Sequence, residues 1–226
     1  MAKNKKNQQP EALGLDIQLS KSEAFIEKNL KTILLIIIAI VMIVAAWFIW
    51  RNHMAKVELR AENAIAKSQV ALASEQFDQA LNGDGAAEMG FLRIIDEYSG
   101  TKTANLAKLY AAVCYAKTGK TDEAIKYFED FDRQDDQMVS PASLAALGNC
   151  YIQKGENEKG AKTLIEAANK ADNDAISPIC LLQAGEVYES LGQNDKAVEL
   201  YKQIKEKYFR SALANDIDKY IERASK

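Results

Sequence analysis

The sequence predicts an all-α fold: one N-terminal transmembrane helix followed by a solenoid of helical hairpins. Three observations carry this. Residues 32–50 (TILLIIIAIVMIVAAWFIW) hold no charge, no Pro and no Gly. The 226-residue chain contains only three Pro and is rich in Ala, Lys and Glu, which suits helices. The segment after residue 100 repeats one pattern three times.

At about 1.5 Å rise per residue the apolar run is roughly 28 Å long, close to the ~30 Å hydrocarbon core of a bilayer. A helix satisfies its own backbone hydrogen bonds, so it can sit in lipid without unpaired amides. Trp47 and Trp50 stand at its C-terminal end, where indoles favour the membrane–water boundary, and Arg51 closes it. The run is longer than the apolar core of a cleaved leader. Cleavage after Val44-Ala45-Ala46 would leave WFIW as an apolar stub, so the anchor is expected to be retained.

Residues 1–19 read as a disordered cytoplasmic tail with Lys3, Lys5 and Lys6. Ser20-Lys21-Ser22-Glu23 fits a capping box, so residues 20–31 are expected to form a juxtamembrane helix with Phe25, Ile26 and Leu30 near one side, either lying along the inner interface or forming the first turns of the anchor helix. Flanking charges nearly balance: Lys28 and Lys31 on one side, Arg51, Lys56 and Arg60 on the other. The lysines of the tail tip the orientation toward an N-terminus in the cytoplasm. The large domain is then expected in the periplasm, with the chain in the inner (cytoplasmic) membrane. The residues beyond Arg51 carry a balance of −6, which argues against a nucleic-acid partner.

Residues 51–100 read as a helical connection and an atypical leading hairpin. No Gly or Pro appears from Met54 to Leu81, so the anchor helix is expected to continue far beyond the bilayer. The first expected break is Asn82-Gly83-Asp84-Gly85, a turn by composition. A helix is then expected over AAEMGFLRIIDEYSG, with Phe91, Leu92, Ile94, Ile95 and Tyr98 on one face and Gly100 as its stop.

Three repeats follow, at 101–138, 139–174 and 175–210, aligned on Tyr115, Tyr151 and Tyr188. A small residue stands three before each Tyr (Ala112, Gly148, Gly185) and another nine after it (Ala124, Gly160, Ala197). These let the two helices of a hairpin approach closely. A Gly four after each Tyr (Gly119, Gly155, Gly192) supplies a left-handed C-cap. Phe128, Leu164 and Tyr201, thirteen after, are expected with the tyrosines to fill the space between hairpins. A hairpin cannot bury its face alone, so neighbours must stack. Residues 211–226 carry Leu213, Ile217, Tyr220 and Ile221 on one face and read as a C-terminal capping helix.

This pattern resembles the tetratricopeptide (TPR) repeat. The steps of 36 and 37 residues imply inter-repeat loops longer than usual, and the customary Pro near the end of the second helix is absent. The resemblance implies a concave groove lined by the first helix of each hairpin. From the first copy it would draw Leu106, Leu109, Tyr110 and Val113. The second would give Asn149 and Gln153 beside Ala145, and the third Leu182, Gln183 and Glu186 beside Glu189. Tyr110, Asn149 and Gln183 are expected to project into one groove, a mixed trough suited to extended or helical peptides.

Residues for catalysis, cofactors or metals do not assemble in the sequence. His53 is the only histidine and lies just beyond the anchor. Asn82-Gly83-Asp84-Gly85 lacks the alternating acids of a calcium loop. Cys114, Cys150 and Cys180 show no C-x-x-C spacing and read as small core residues. Three unpaired thiols are unusual for the oxidising periplasm. No catalytic, cofactor or metal residue is assigned, and the chain is not expected to be an enzyme.

The whole arrangement further resembles the YfgM-like TPR ancillary subunits of the SecYEG translocon, in their Bacteroidetes-type version. The stretches LSKSEAFIEKNLK, ALNGDG, GFLRIIDEYSGTKTANLA and IDKYIER carry this likeness. It implies association with the Sec channel and a PpiD-like chaperone, and a role in the trafficking of secreted chains. Two other readings stay open: a scaffold for envelope assembly, and the TPR subunit of a cytochrome c maturation complex.

Overall fold

The computed structural model describes residues 11–85 and 88–226, with the side chains of 11–24 and 27 outside that description. Two compact units divide after Ala55. Helix α1 runs from Glu11 to Ala73 and contributes to both. Its backbone is already helical before Ser20, so Ser20 stands within a helix and not at its cap. Ala12, Leu13 and Leu15 favour this earlier start. Residues 1–10, with the three tail lysines, lie outside the described residues.

In the first unit, every large apolar side chain from Leu34 to Trp50 is exposed. A surface of that composition needs lipid or another apolar cover. The helix is long and apolar enough to cross a membrane. The Arg51 guanidinium lies 5.3 Å from the centre of the Trp47 ring, a cation–π contact at the end of the apolar run.

The second unit is a stack of antiparallel helices: α2 (Phe77–Asn82), α3 (Phe91–Glu97), α4 (Lys102–Lys117), α5 (Thr121–Asp130), α6 (Val139–Gln153), α7 (Asn157–Ala171), α8 (Ser177–Ser190), α9 (Asn194–Lys207) and α10 (Ile217–Ala224). The pairs α4/α5, α6/α7 and α8/α9 are the three hairpins read from the sequence. Between α4 and α5, α6 and α7, and α8 and α9 the chain turns through Gly119, Gly155 and Gly192, with φ of 75°, 89° and 70°. Each turn closes the same way. The amide after the Gly of the second hairpin, Glu156, donates to the carbonyl of Tyr151 at 2.8 Å, and the Gly155 amide to Ile152 at 2.9 Å.

The long helix ends in the same turn without a glycine. Glu75 adopts φ 59°, its amide donates to Leu72, and the Gln76 amide donates to Ala71. The break therefore falls at Ser74–Gln76, before Asn82. Ser68, Glu75 and Ala80 stand where the second hairpin has Gly148, Gly155 and Gly160. The C-terminal part of α1 and α2 thus form a leading hairpin in the repeat's own geometry. The expected helix over residues 86–100 is seen, among the described residues, as α3 alone, since 88–90 are not helical. Gly90 caps it because a Cβ there would lie 2.1 Å from the Leu81 carbonyl oxygen.

Two polar devices fix the helix starts. The Glu58 carboxylate of α1 accepts from the amides of Lys102 (2.8 Å) and Thr103 (2.9 Å) and from the Thr103 hydroxyl (2.7 Å). It caps α4 from a neighbouring helix. The longer loops before α6 and α8 fold onto buried serines at matching positions. The Ser140 hydroxyl accepts from the Gln134 amide and donates to Asp136. The Ser177 hydroxyl accepts from the Asn173 amide and donates to the Ala168 carbonyl.

Three core clusters run through the stack. Ile65, Leu81, Phe91, Ile94 and Cys114 join α1 to α4. Ala112, Phe128, Leu147, Cys150 and Tyr151 join α4 to α6. Leu164, Leu181, Tyr201, Ile204 and Ile217 join α7 to α10. In the second and third repeats the large residue also has a seat within its own hairpin. Leu164 and Tyr201 rest on Gly148 and Gly185 of their own hairpins. The C-terminal segment presents its expected face, with Ile217 buried and Leu213, Tyr220 and Ile221 packed beside it. It is not one helix: a 3-10 turn (Ala212–Asn215), capped by Ser211, precedes α10. Asn215 and Asp216 are weak helix formers at the break.

Candidate functional site

Helix α4 has two apolar sides. Ala107, Ala111 and Cys114 face the core and are fully buried. Leu106, Leu109, Tyr110 and Val113, spaced i, i+3, i+4, i+7, are only half-buried. With Met138, Val139, Ala142 and Ala146 at the start and along one side of α6, they wall a trough of about 380 Å³. Phe128 of α5 contributes to the lining. Met138 and Val139 are 58% and 47% exposed, although both are apolar. Apolar residues left this exposed form a surface suited to an apolar partner.

Tyr110 is held in place from behind. Its ring lies 5.3 Å from that of Phe91, and its hydroxyl accepts from the Gln69 side chain at 3.4 Å. Ser143, the one hydroxyl of a lining serine, is already committed. It donates to the Ser140 carbonyl at 2.7 Å and accepts from Arg133 at 3.3 Å. The trough therefore offers shape and apolar area, with little free polar chemistry.

At the N-terminal ends of α4 and α6 the trough opens into a polar cleft of about 560 Å³, sharing Leu106 and Val139 with it. Lys102, Asn105, Asp132, Gln134 and Asp136 line that cleft. Asp136 accepts from the amides of Met138 (2.8 Å) and Val139 (2.6 Å) and from Ser140. The Ser140 hydrogen bond, chiefly, holds its carboxyl below the usual carboxylate range; slight burial opposes this and the amides add to it.

The four residues expected from the first repeat thus come together. Asn149 and Gln153 lie further along α6, exposed and outside the trough, and the Gln153 side chain accepts from Thr121 at 3.2 Å. Leu182 packs against the α7–α10 cluster, while Gln183 and Glu186 on α8 also lie outside the trough. Of the three residues expected to share one groove, Tyr110 lines this trough, while Asn149 and Gln183 do not; Met138 and Val139, at the start of α6, complete its wall. Sequence reasoning passed over Met138, Val139, Ala142, Ser143 and Ala146. The available signal was Ala142, which stands nine before its aligned Tyr, as Leu106 does.

Titratable groups cluster elsewhere, at the hairpin seams. Glu189 of α8 accepts from the Tyr201 hydroxyl at 2.7 Å and from Arg223 of α10 at 2.9 and 3.0 Å. Burial and then the Glu189 hydrogen bond push the Tyr201 phenol well up. Burial acts to raise the Glu189 carboxyl, but Arg223 and Tyr201 outweigh it and the net shift is downward. Tyr151 of α6 donates to Glu129 of α5, and the Lys159 ammonium lies 3.8 Å from its ring centre. These contacts staple helices together. Cys114, Cys150 and Cys180 are buried free thiols in three different clusters. Among the described residues, no group of three or more His, Cys, Asp or Glu is placed to hold a metal.

Residues 23–207 match a family described as a tetratricopeptide repeat-like domain. No curated protein matches the chain.

Proposed function

We propose a function from one premise: the chain belongs to the tetratricopeptide repeat-like family. Such domains are interaction folds with protein partners. The observation that carries the reading is the apolar trough between α4 and α6, on a chain whose α1 is long and apolar enough to cross a membrane. The protein acts as a membrane-tethered receptor for polypeptide segments, with Leu106, Leu109, Tyr110 and Val113 contacting their apolar side chains. A short segment can lay two or three apolar residues in a trough of this size.

The finer reading is an ancillary subunit of the Sec translocon, working beside a PpiD-like chaperone on newly secreted chains. Its support is the likeness of LSKSEAFIEKNLK, GFLRIIDEYSGTKTANLA and IDKYIER to that family. The tail lysines support a cytoplasmic N-terminus, which puts the repeats in the periplasm. Asn149, Gln153, Leu182, Gln183 and Glu186 would then extend the contact surface for longer clients.

The test is light crosslinking in native membranes, followed by mild-detergent affinity purification and mass spectrometry. Recovery of the Sec channel with a PpiD-like chaperone is expected. Recovery of cytochrome maturation or outer-membrane assembly proteins, without Sec subunits, overturns the finer reading. A cysteine introduced at exposed Lys126 settles orientation: a membrane-impermeant maleimide reaches it in cells with a permeabilised outer membrane only if the repeats are periplasmic.

A further inference from the structure

The outer face of α1 between Leu59 and Ala73 carries an uncharged, largely apolar stripe where solvent would favour charge. Its inner face is used: Ala61, Ile65, Ser68 and Ala71 are buried in the repeat domain. Facing away from them are Leu59, Asn63, Ala66, Val70 and Ala73, all exposed. Leu59 and Val70 are 59% and 67% exposed. Their spacing is 4, 3, 4, 3, the alternation of the d and a positions of a heptad repeat.

In that register Asn63 takes an a position, where a single Asn favours a two-stranded, in-register coiled coil. Glu62 takes a g position and Lys67 the e position five residues on, both exposed. In a parallel pair, g of one helix meets e five residues on in the other. Glu62 of one copy then faces Lys67 of the second, twice by symmetry. Lys67 already pairs with Glu88 of its own chain at 2.6 Å, which leaves ammonium protons for the second carboxylate. A depression of about 280 Å³ beside Ala66 and Val70, bounded by Gln76 and Gln79, gives a second helix a place to lie.

We infer that α1 pairs with α1 of a second copy of this chain, in parallel, through Leu59, Asn63, Ala66 and Val70. This surface is separate from the α4/α6 trough and does not rest on its role. Two heptads alone are marginal in water. Chains anchored side by side in one membrane gain effective concentration, which favours the pairing.

The test uses the full chain in lipid membranes at low protein density, with single cysteines introduced at Leu59, Ala66 or Val70 and, as a control, at exposed Lys162 on α7. Mild oxidation is expected to link Leu59→Cys and Ala66→Cys into disulfide dimers, while Lys162→Cys stays largely monomeric. The native thiols are buried and serve as background. Adding Glu62→Lys or Val70→Glu to the Leu59→Cys reporter is expected to cut dimer yield at least about threefold, since each sets repulsion into a close parallel pair. Equal linking at Lys162→Cys, or no linking at Leu59→Cys and Ala66→Cys in protein whose helicity is unchanged, overturns the inference. So does linking at Leu59→Cys that ignores both added substitutions.

Discussion

Gly185 and Tyr201 sit so close that a Cβ on residue 185 would lie 2.3 Å from the Cε1 atom of the ring. The ring has nowhere to go. Tyr201 is fully buried, and its hydroxyl is tied to Glu189, which is itself held by Arg223. Gly185→Ala is therefore expected to destabilise the repeat domain by about 1–3 kcal/mol, the range for overpacking a filled core. Tyr201→Phe keeps the ring and loses one hydrogen bond to a carboxylate, so about 1.5 kcal/mol is expected. Denaturant melts of both variants check the order. A Gly185→Ala variant as stable as the wild type would mean the close approach is not rigid.

Glu75 is the outlier among four equivalent turns. At φ 59° it holds a left-handed conformation that costs a residue with a Cβ about 1–2 kcal/mol, whereas its three counterparts are glycines. Its side chain is exposed, so nothing visible offsets that cost. Glu75→Gly is expected to stabilise the domain by about 1 kcal/mol, after the added flexibility of the unfolded chain is counted. Thermal unfolding reads it as a rise of a few degrees; a fall would show that the Glu75 side chain serves the turn.

The same residue shows what was legible in the sequence. Turns at Gly119, Gly155 and Gly192 were readable because the residue names the conformation. The identical turn at Glu75 was not, because Glu does not advertise a left-handed conformation. The α4 wall of the trough was readable from the spacing of Leu106, Leu109, Tyr110 and Val113. The α6 wall was not, since Met138 and Val139 belong to a loop-to-helix junction set by Asp136 and Ser140. Periodicity cannot place a residue whose position depends on how a loop closes. The long apolar helix needed no tertiary context to be read, because its length and lack of charge suffice.

Asp136 makes stability depend on pH in one direction. Its carboxyl is held below the usual value by the Ser140 hydrogen bond and the amides that start α6. A depressed carboxylate contributes stability that is present above its unfolded value, about pH 3.9, and lost as pH falls through the folded one. Wild type is therefore expected to exceed Asp136→Asn in stability at pH 6, with the gap narrowing below about pH 4. Urea melts at several pH values measure this gap. A gap of constant size would assign the loss to shape and not to charge.

The buried thiols predict chemical silence. Burial pushes the Cys114 and Cys180 thiols up to about 11 and raises that of Cys150. Thiolate, the reactive form, is then scarce at neutral pH, and access is blocked as well. Native protein is expected to leave an aromatic disulfide reagent unreacted for hours and to release three equivalents once unfolded. Rapid reaction of a single equivalent would mark a local opening of one core cluster.

The trough predicts a loss of binding without a loss of fold. Val139 is exposed and apolar, so a charged side chain there meets water and not the core. Val139→Glu is expected to change stability by less than about 0.5 kcal/mol, as surface substitutions usually do. A bound apolar segment would have to desolvate the new carboxylate, a cost of at least about 1–3 kcal/mol. Crosslinked polypeptide recovered with the full-length protein should therefore drop several-fold, while the melting temperature stays in place. Asn149→Glu, outside the trough but on the wider surface proposed for longer clients, serves as the charge-matched comparison. If both variants lose binding equally, acidity of the surface is responsible. If only Asn149→Glu does, the contact lies further along α6 than the trough. Loss confined to Val139→Glu assigns recognition to the apolar wall that α4 and α6 build together.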